Sequence, residues 1–280
     1  MSEAAEPNAA QVAYWNENAG PTWVAMQDAL DEQLEGLGQG VIAVLDPKPG
    51  ERIIDVGCGC GATTLELARR VGPGGHVLGA DISAPMLAVA KARAKAVGLT
   101  QADFAEVDAQ THAFEPADGV LSRFGVMFFS DPVAAFANLR RALTPGGRVA
   151  FVCWRAMADN PLMTVPLAAI LPLLPEPPAA PPPGAPGPFA FADRDRLFGI
   201  LKDAGFADIR IDAHDEPMGY RRLETAVQTA LSMGPVGMAS RTNPDLRPRF
   251  EVAVREVLAA RAAPDGSLRM PSATWFVRAS

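Results

Sequence analysis

Cysteine and histidine are both scarce in this 280-residue sequence, with three of each. Three cysteines cannot build a disulfide framework, and two of them, Cys58 and Cys60, share one glycine-rich turn. Reduced thiols in a cytoplasmic protein are the expectation. The Cys58–Cys60 pair has no second ligand cluster to complete a tetrahedral site, so no metal is expected. A surplus of basic residues is missing too: 25 Lys and Arg stand against 32 Asp and Glu, a net charge of −7. That balance lacks the electrostatic footprint of a nucleic-acid binder. Long apolar runs are absent, since the longest stretch, around "PLAAILPLLP", is broken by prolines. Membrane insertion is therefore not expected. The opening "MSEAAEPNAAQVAYWNENAG" is acidic and lacks the charged-then-apolar order of a secretory leader. No internal repeat is evident.

What is abundant is apolar residue, 49% of the chain, enough for a sizeable core. Ile53 to Gly57 is a short apolar run ending in an acid and a glycine, which predicts a buried strand. "ATTLELARRV" follows with Leu65, Ala68 and Val71 at helical spacing. Strand-like "HVLGAD" (76–81) precedes a helix over 84–98 that ends at Gly98. "DFAEVDA" (103–109) alternates as a third strand, and "DGVLSRFGVMFF" (118–129) reads as a fourth running into a loop. A proline-started helix (132–143), the turn "TPGG" and a fifth strand (148–154) complete the regular part. This alternation predicts an α/β fold, a parallel sheet with helices on both faces.

The alternation stops at 157–191, where an apolar, proline-rich segment predicts a helical piece and an extended loop. It resumes with a helix (193–206) and a strand (207–215), then a helical section (222–263) and a closing strand (272–279). The expected organisation is an N-terminal helical lid segment (1–40), a core (41–156) and a Pro-rich lid insertion (157–191). The core continues over 192–217, followed by a helical insertion (218–266) and the closing strand of the core (267–280).

The turn "DVGCGCG" (55–61) raises the functional question. Glycines after a first strand let backbone approach a ligand closely, and the following helix offers unpaired N–H groups. Two ligand classes use such a turn, a dinucleotide and S-adenosylmethionine. Gly57, Gly59 and Ala62 satisfy the dinucleotide pattern, with Asp81 near the spacing of a ribose-binding acid. Asp55 argues for the second ligand. An acid at the strand end can hold loop N–H groups or face an ammonium, whereas it repels a pyrophosphate.

The ordered series "DVGCGCG" (55–61), "GADIS" (79–83), "EVDAQ" (106–110), "DGVLSRFGVMFFSDP" (118–132) and "LRRALTPGGRVAFVCW" (139–154) resembles the class I S-adenosylmethionine-dependent methyltransferases. It is most similar to the small-molecule group that includes the ubiquinone and menaquinone C-methyltransferases. The resemblance covers roughly residues 40 to 155 and implies a Rossmann-like, seven-stranded, mostly parallel sheet whose last strand is antiparallel. It also implies the cofactor S-adenosylmethionine, the product S-adenosylhomocysteine and a small-molecule methyl acceptor.

Site roles follow from the resemblance. Gly57, Gly59 and Gly61, with the small Cys58 between them, would pass beneath the donor's methionyl and ribose parts. Asp81 would accept from both ribose hydroxyls, as an acceptor-only carboxylate can. Ile82 would lie on the adenine face, Asp108 would accept from the exocyclic amine, and the Ala109 N–H would donate to the ring. Ser122 and Arg123 would stand beside the methionyl end, with Arg123 within reach of its carboxylate. The N-terminal aromatics Tyr14, Trp15 and Trp23 would fold over the donor. An apolar or aromatic acceptor is the natural expectation, its accepting atom (C, O or N) left open. No catalytic base stands out: His76 and His112 read as structural, and His214 beside Asp215 is the best-placed candidate. An NAD(P)-dependent oxidoreductase on a related sheet and a non-catalytic donor-binding protein stay open as alternatives, and oligomeric state is undetermined.

Overall fold

The most apolar strands lie at the centre of one sheet and the charged ones at its edges. The computed structural model describes residues 8–177, 182 and 184–280. Residues 1–7 of the expected N-terminal lid segment, and 178–181 and 183 of the Pro-rich insertion, lie outside the described residues. The main sheet runs in the order β3 (Ala102–Glu106), β2 (His76–Asp81), β1 (Arg52–Val56), β4 (Ala117–Arg123), β5 (Leu143–Trp154), β9 (Thr274–Ala279), β6 (Arg210–His214). The pairs from β3 to β5 are parallel, and β9 slides antiparallel between β5 and β6. In β1 four of five residues are buried, as a strand covered on both faces requires. This is the seven-stranded sheet that the resemblance implies, covered on both faces as the strand and helix alternation predicts.

Five helices precede or flank the first half of the sheet. They are α1 (Ala9–Ala13), α2 (Ala19–Ala25) after a π-helical turn (Tyr14–Asn18), and α3 (Gln27–Leu45). Then come α4 (Ala62–Val71) after β1 and α5 (Ala84–Val97) after β2, the latter closed by left-handed Gly98. The boundary expected at residue 40 cuts through α3. The buried face of that helix, from Leu34 to Leu45, belongs to the main core and packs on β4, β5 and β9. Only the chain before α3 remains available as a cover, because a helix with a continuous apolar stripe cannot detach in part.

On the far side, α6 (Pro132–Ala142) is capped by Asp131, whose side chain accepts the Ala134 N–H at 3.0 Å. It packs against β5 and α8 (Arg194–Asp203), the latter capped by Asp193. A second layer has its own core, built from Ile170, Tyr220, Val227, Leu231, Phe250, Val254, Leu258 and Leu268. These residues come from α7 (Pro161–Ile170), α9 (Leu223–Ser232), α11 (Arg247–Ala259) and a two-stranded ribbon of β7 (Met218–Tyr220) and β8 (Leu268–Met270); α10 (Gly234–Thr242) adds Val236 and Ala239. The β8 strand lies inside the segment expected to close the main sheet. It pairs instead with β7, and only Thr274–Ala279 enters the sheet.

One further boundary shifts, and the place where the fourth strand gives way to a loop is now defined. The third strand stops at Glu106 rather than 109. Asp108 turns the chain there, accepting the Gln110 N–H on its side chain and the Thr111 and His112 N–H groups on its carbonyl. The fourth strand stops at Arg123, because Phe124 adopts a left-handed φ of 62° before a short 3-10 turn (Val126–Phe128).

Candidate active site

The carboxyl ends of β1, β2 and β4 converge on the glycine-rich turn. Gly57, Gly59 and Gly61 have φ of 67°, 54° and 81°, a region that side chains other than glycine enter at a cost. A Cβ at Gly57 would stand 2.6 Å from the Gly125 Cα, so the turns after β1 and β4 touch backbone to backbone. At Gly59 it would meet the Met86 methyl, and at Gly61 the Ala90 Cβ and the Phe104 ring. Protein fills the space that each missing side chain leaves, and the backbone of the turn is what can meet a ligand. Cys58 and Cys60 are buried, and burial raises both thiols, Cys60 to about 12. Among the described residues no group of three or more His, Cys, Asp or Glu is placed to hold a metal.

Two buried acids stand under and beside the turn. Asp81, at the end of β2, accepts the Gly59 N–H on one oxygen at 2.8 Å and the Ser83 N–H on the other at 2.9 Å. Burial raises its pKa against those two bonds. A carboxylate offers about four acceptor positions, so Asp81 keeps capacity for two more donors. Asp55 is fully buried, with one oxygen accepting from the Thr63 and Thr64 hydroxyls at 2.7 and 2.6 Å. Its other oxygen has no donor. Burial raises its pKa to about 6, the two threonines opposing. An orphaned buried carboxylate oxygen is costly, and a cationic or N–H-bearing ligand would satisfy it. In this respect the residues fit an aminoacyl adenosine.

The N-terminal segment lies across the strand ends. The Asn16 side chain donates to the Ile82 carbonyl at 2.8 Å and accepts the Ala84 N–H at 2.9 Å, reading the β2–α5 turn as a backbone strand would. The Trp15 carbonyl accepts from the Ser83 hydroxyl, and its ring stands edge-on to Tyr14, Trp23 and Phe128. A π-helical turn at these residues brings the Trp15 carbonyl and the Asn16 side chain to the β2–α5 turn. Asn8, nearly buried, donates to both Asp108 oxygens at 3.0 and 2.8 Å and accepts the Ser130 N–H. Asp108 is thus held by protein on the side where an adenine amine was expected. Ala109 is buried, its carbonyl accepting from Asn138. Ile82 is half-buried. Sequence reasoning missed Asn8 and Asn16; their one signal is that asparagine is a poor helix former placed in a helical segment.

Ser122 and Arg123 end β4. The Ser122 hydroxyl donates to the Val56 carbonyl at 2.8 Å and accepts the Gly125 N–H, joining the two turns. Arg123 turns toward α3, where its guanidinium lies 3.7 Å from Asp31. At the tips of β4 and β5 the Phe124 ring stacks on Trp154 with centroids 4.2 Å apart. The left-handed φ of Phe124 is strain retained next to the site.

The histidines are spread apart. His76 pairs with Asp103 on the surface, and His112 packs edge-on to Phe114. His214 stacks on Phe276 at 4.0 Å and its Nε2 lies 3.3 Å from Glu216. It sits on the outer strand, three strand spacings or roughly 14 Å from β4. The structure gives it packing partners and does not bring it to the turn.

Residues 53–147 match the family described as a methyltransferase domain. The aklanonic acid methyltransferase DauC of Streptomyces is 37% identical over 118 residues, which cover 41% of this chain and 53% of that one. The nocamycin O-methyltransferase of Saccharothrix syringae is 33% identical over 195 residues, 63% of this chain and 66% of that one. Residues 53–147 are thus a methyltransferase domain, set in a sheet of the class I S-adenosylmethionine-dependent methyltransferase fold. A solved phosphoethanolamine N-methyltransferase 2 from Haemonchus contortus, held with phosphomonomethylethanolamine and S-adenosylhomocysteine, shares the fold at a TM-score of 0.60 and 18% identity. That likeness covers 99% of this chain and 60% of the other. The chain spans about half to two thirds of the length of the curated relatives it matches. Within this methyltransferase fold the matched segment runs from β1 to the start of β5, so it contains Asp55, the turn, Asp81, Asp108 and Arg123.

Proposed function

We propose that the protein transfers a methyl group from S-adenosylmethionine to a small apolar or aromatic molecule. When bound, that donor supplies an electrophilic methyl on a sulfonium leaving group. The residues gathered at these strand ends then have binding and shielding work. Asp81 has two acceptor positions open for ribose hydroxyls, held in place by the Gly59 and Ser83 N–H groups. Ile82 and Ala109 flank the adenine position, and Asp108, which accepts from Asn8 on both oxygens and from the Gln110 N–H, keeps one acceptor position for its amine. Asp55 and the turn backbone meet the aminoacyl end. Holding donor and acceptor in line supplies on the order of 7–11 kcal/mol of the barrier, so alignment and exclusion of water are the main tasks.

The observation that carries this reading is the pinned, buried Asp81 beside the turn, inside the segment that matches the methyltransferase domain. The acceptor class is supported by the aromatic lining of the strand tips, where Phe124 and Trp154 stack and Trp15, Trp23 and Phe128 cluster. The names of the relatives, methyltransferases of aklanonic acid and nocamycin, agree with a small-molecule acceptor. No helix among the described residues is long and apolar enough to cross a membrane. A panel of aromatic compounds bearing hydroxyl, amino or acidic C–H groups, incubated with the donor and read by mass spectrometry, tests the reaction. The reading calls for a product heavier by one methylene unit in at least one case. Donor binding without any such product across the panel would favour a non-catalytic binder.

A further inference from the structure

The α3 helix carries an acid with no place in a simple apolar stripe. Asp31 Oδ2 accepts from Arg93 of α5 at 2.8 Å, and the other guanidinium nitrogen of Arg93 donates to the Cys60 carbonyl at 2.9 Å. Asp31 Oδ1 is buried without a donor, and Arg123 at the end of β4 stands 3.7 Å from it, beyond hydrogen-bond range. The Arg123 side chain is 11% exposed and lies along Gly38, one heptad after Asp31 on the same helical face. A Cβ at Gly38 would stand 3.4 Å from the Arg123 Cδ, so the side chain runs in contact with the helix surface there. Asp31 therefore ties together α3, α5, the glycine-rich turn and β4. Asp31 and Asp55 both act on the charge of Arg123, and each has one carboxylate oxygen without a donor. A buried guanidinium with forked donors unspent, beside buried acceptors unspent, is the complement of an α-amino-acid zwitterion.

We propose that Asp31 is a positioning residue for the aminoacyl end of the methyl donor. It holds Arg93 against the turn and sets Arg123 to receive an α-carboxylate, while the free Asp55 oxygen faces the ammonium. This rests on the donor-binding reading above, and the ligands that test it separate the two.

S-adenosylhomocysteine carries the aminoacyl group, and 5′-methylthioadenosine is the same thioether without it. Calorimetric titration of both into wild type and Asp31→Asn, with melting temperatures to confirm folding, is the test. Wild type binds the first at least about tenfold more tightly than the second, as loss of charge-assisted contacts requires. Asp31→Asn weakens the first about tenfold and moves the second by less than about twofold. An equal fall for both ligands would mean that Asp31 only supports the fold, and an unchanged first affinity would remove it from the site. If Asp31→Asn does not fold, the decarboxylated thiopropylamine analogue of S-adenosylhomocysteine reports on wild type alone. Binding as tight as S-adenosylhomocysteine overturns the assignment of Arg123, and with it that of Asp31; markedly weaker binding supports both. Absence of binding for every adenosine ligand would sink the donor reading itself.

Discussion

Gly57 shows how much one residue decides. Its left-handed backbone and its contact with Gly125 leave no room for a methyl group. Gly57→Ala is expected to cost on the order of 3 kcal/mol, from backbone strain plus the backbone collision, and to lower the melting temperature by roughly 5–10 °C. A melting temperature within error of wild type would contradict the close approach of the two turns. Asp55 makes a prediction of a different kind. Its folded pKa of about 6 lies above the ordinary 3.8, so the folded state holds the proton more tightly than the unfolded chain. Stability from that group is fully present below about pH 4 and is lost as pH rises through about 6. Chemical denaturation should show wild type losing stability relative to Asp55→Asn across that window and running parallel to it above. A flat difference would mean that the carboxyl is not desolvated. Glycines and acids were the most legible residues in the sequence, because positive φ and acceptor-only chemistry leave few substitutes. Asn8, Asn16, Asp31 and Arg93 were not legible, since their partners lie far away in the chain.

Among elements, α3 departs most from what its residues would choose. It carries Gly36, Gly38 and Gly40 in its interior, and each lies against a side chain, of Glu216, Arg123 and Phe276 respectively. Two substitutions should therefore act in opposite directions. Glu216 is half-exposed and can swing away, so Gly36→Ala is expected to stabilise by up to about 1 kcal/mol through helix propensity. Phe276 is a core ring, 2.7 Å from where a Cβ at Gly40 would stand, so Gly40→Ala should destabilise. Equilibrium urea unfolding of both variants checks the pair; the same sign for both would contradict the packing of this helix. The strands of the main sheet could be read in advance because their apolar runs are continuous and their turns carry Gly, Pro or Asp. The β7–β8 ribbon could not, for three residues a side give no period to detect. The third strand ran long in the sequence because Asp108 turns the chain with its own side chain.

At the scale of the molecule, a sheet with a site at its carboxyl edge is joined to a helical layer with a core of its own. The site sits where the turns after β1, β2 and β4 meet, while the second layer is assembled from segments on either side of α8 and β6. A parallel sheet with helices on both faces follows from alternating patterns that any α/β chain displays, whereas its seven strands and antiparallel last strand came only from the resemblance to a known family. The central claim is that the carboxylate at the end of β2 grips the ribose of an adenosyl methyl donor. Titrating S-adenosylhomocysteine and NADH in turn into wild type and Asp81→Asn tests it most directly. The account predicts that wild type binds S-adenosylhomocysteine and not NADH, and that Asp81→Asn, still folded, loses about 1.5–3 kcal/mol of that affinity. NADH binding in its place, or an unchanged affinity in the variant, would contradict it.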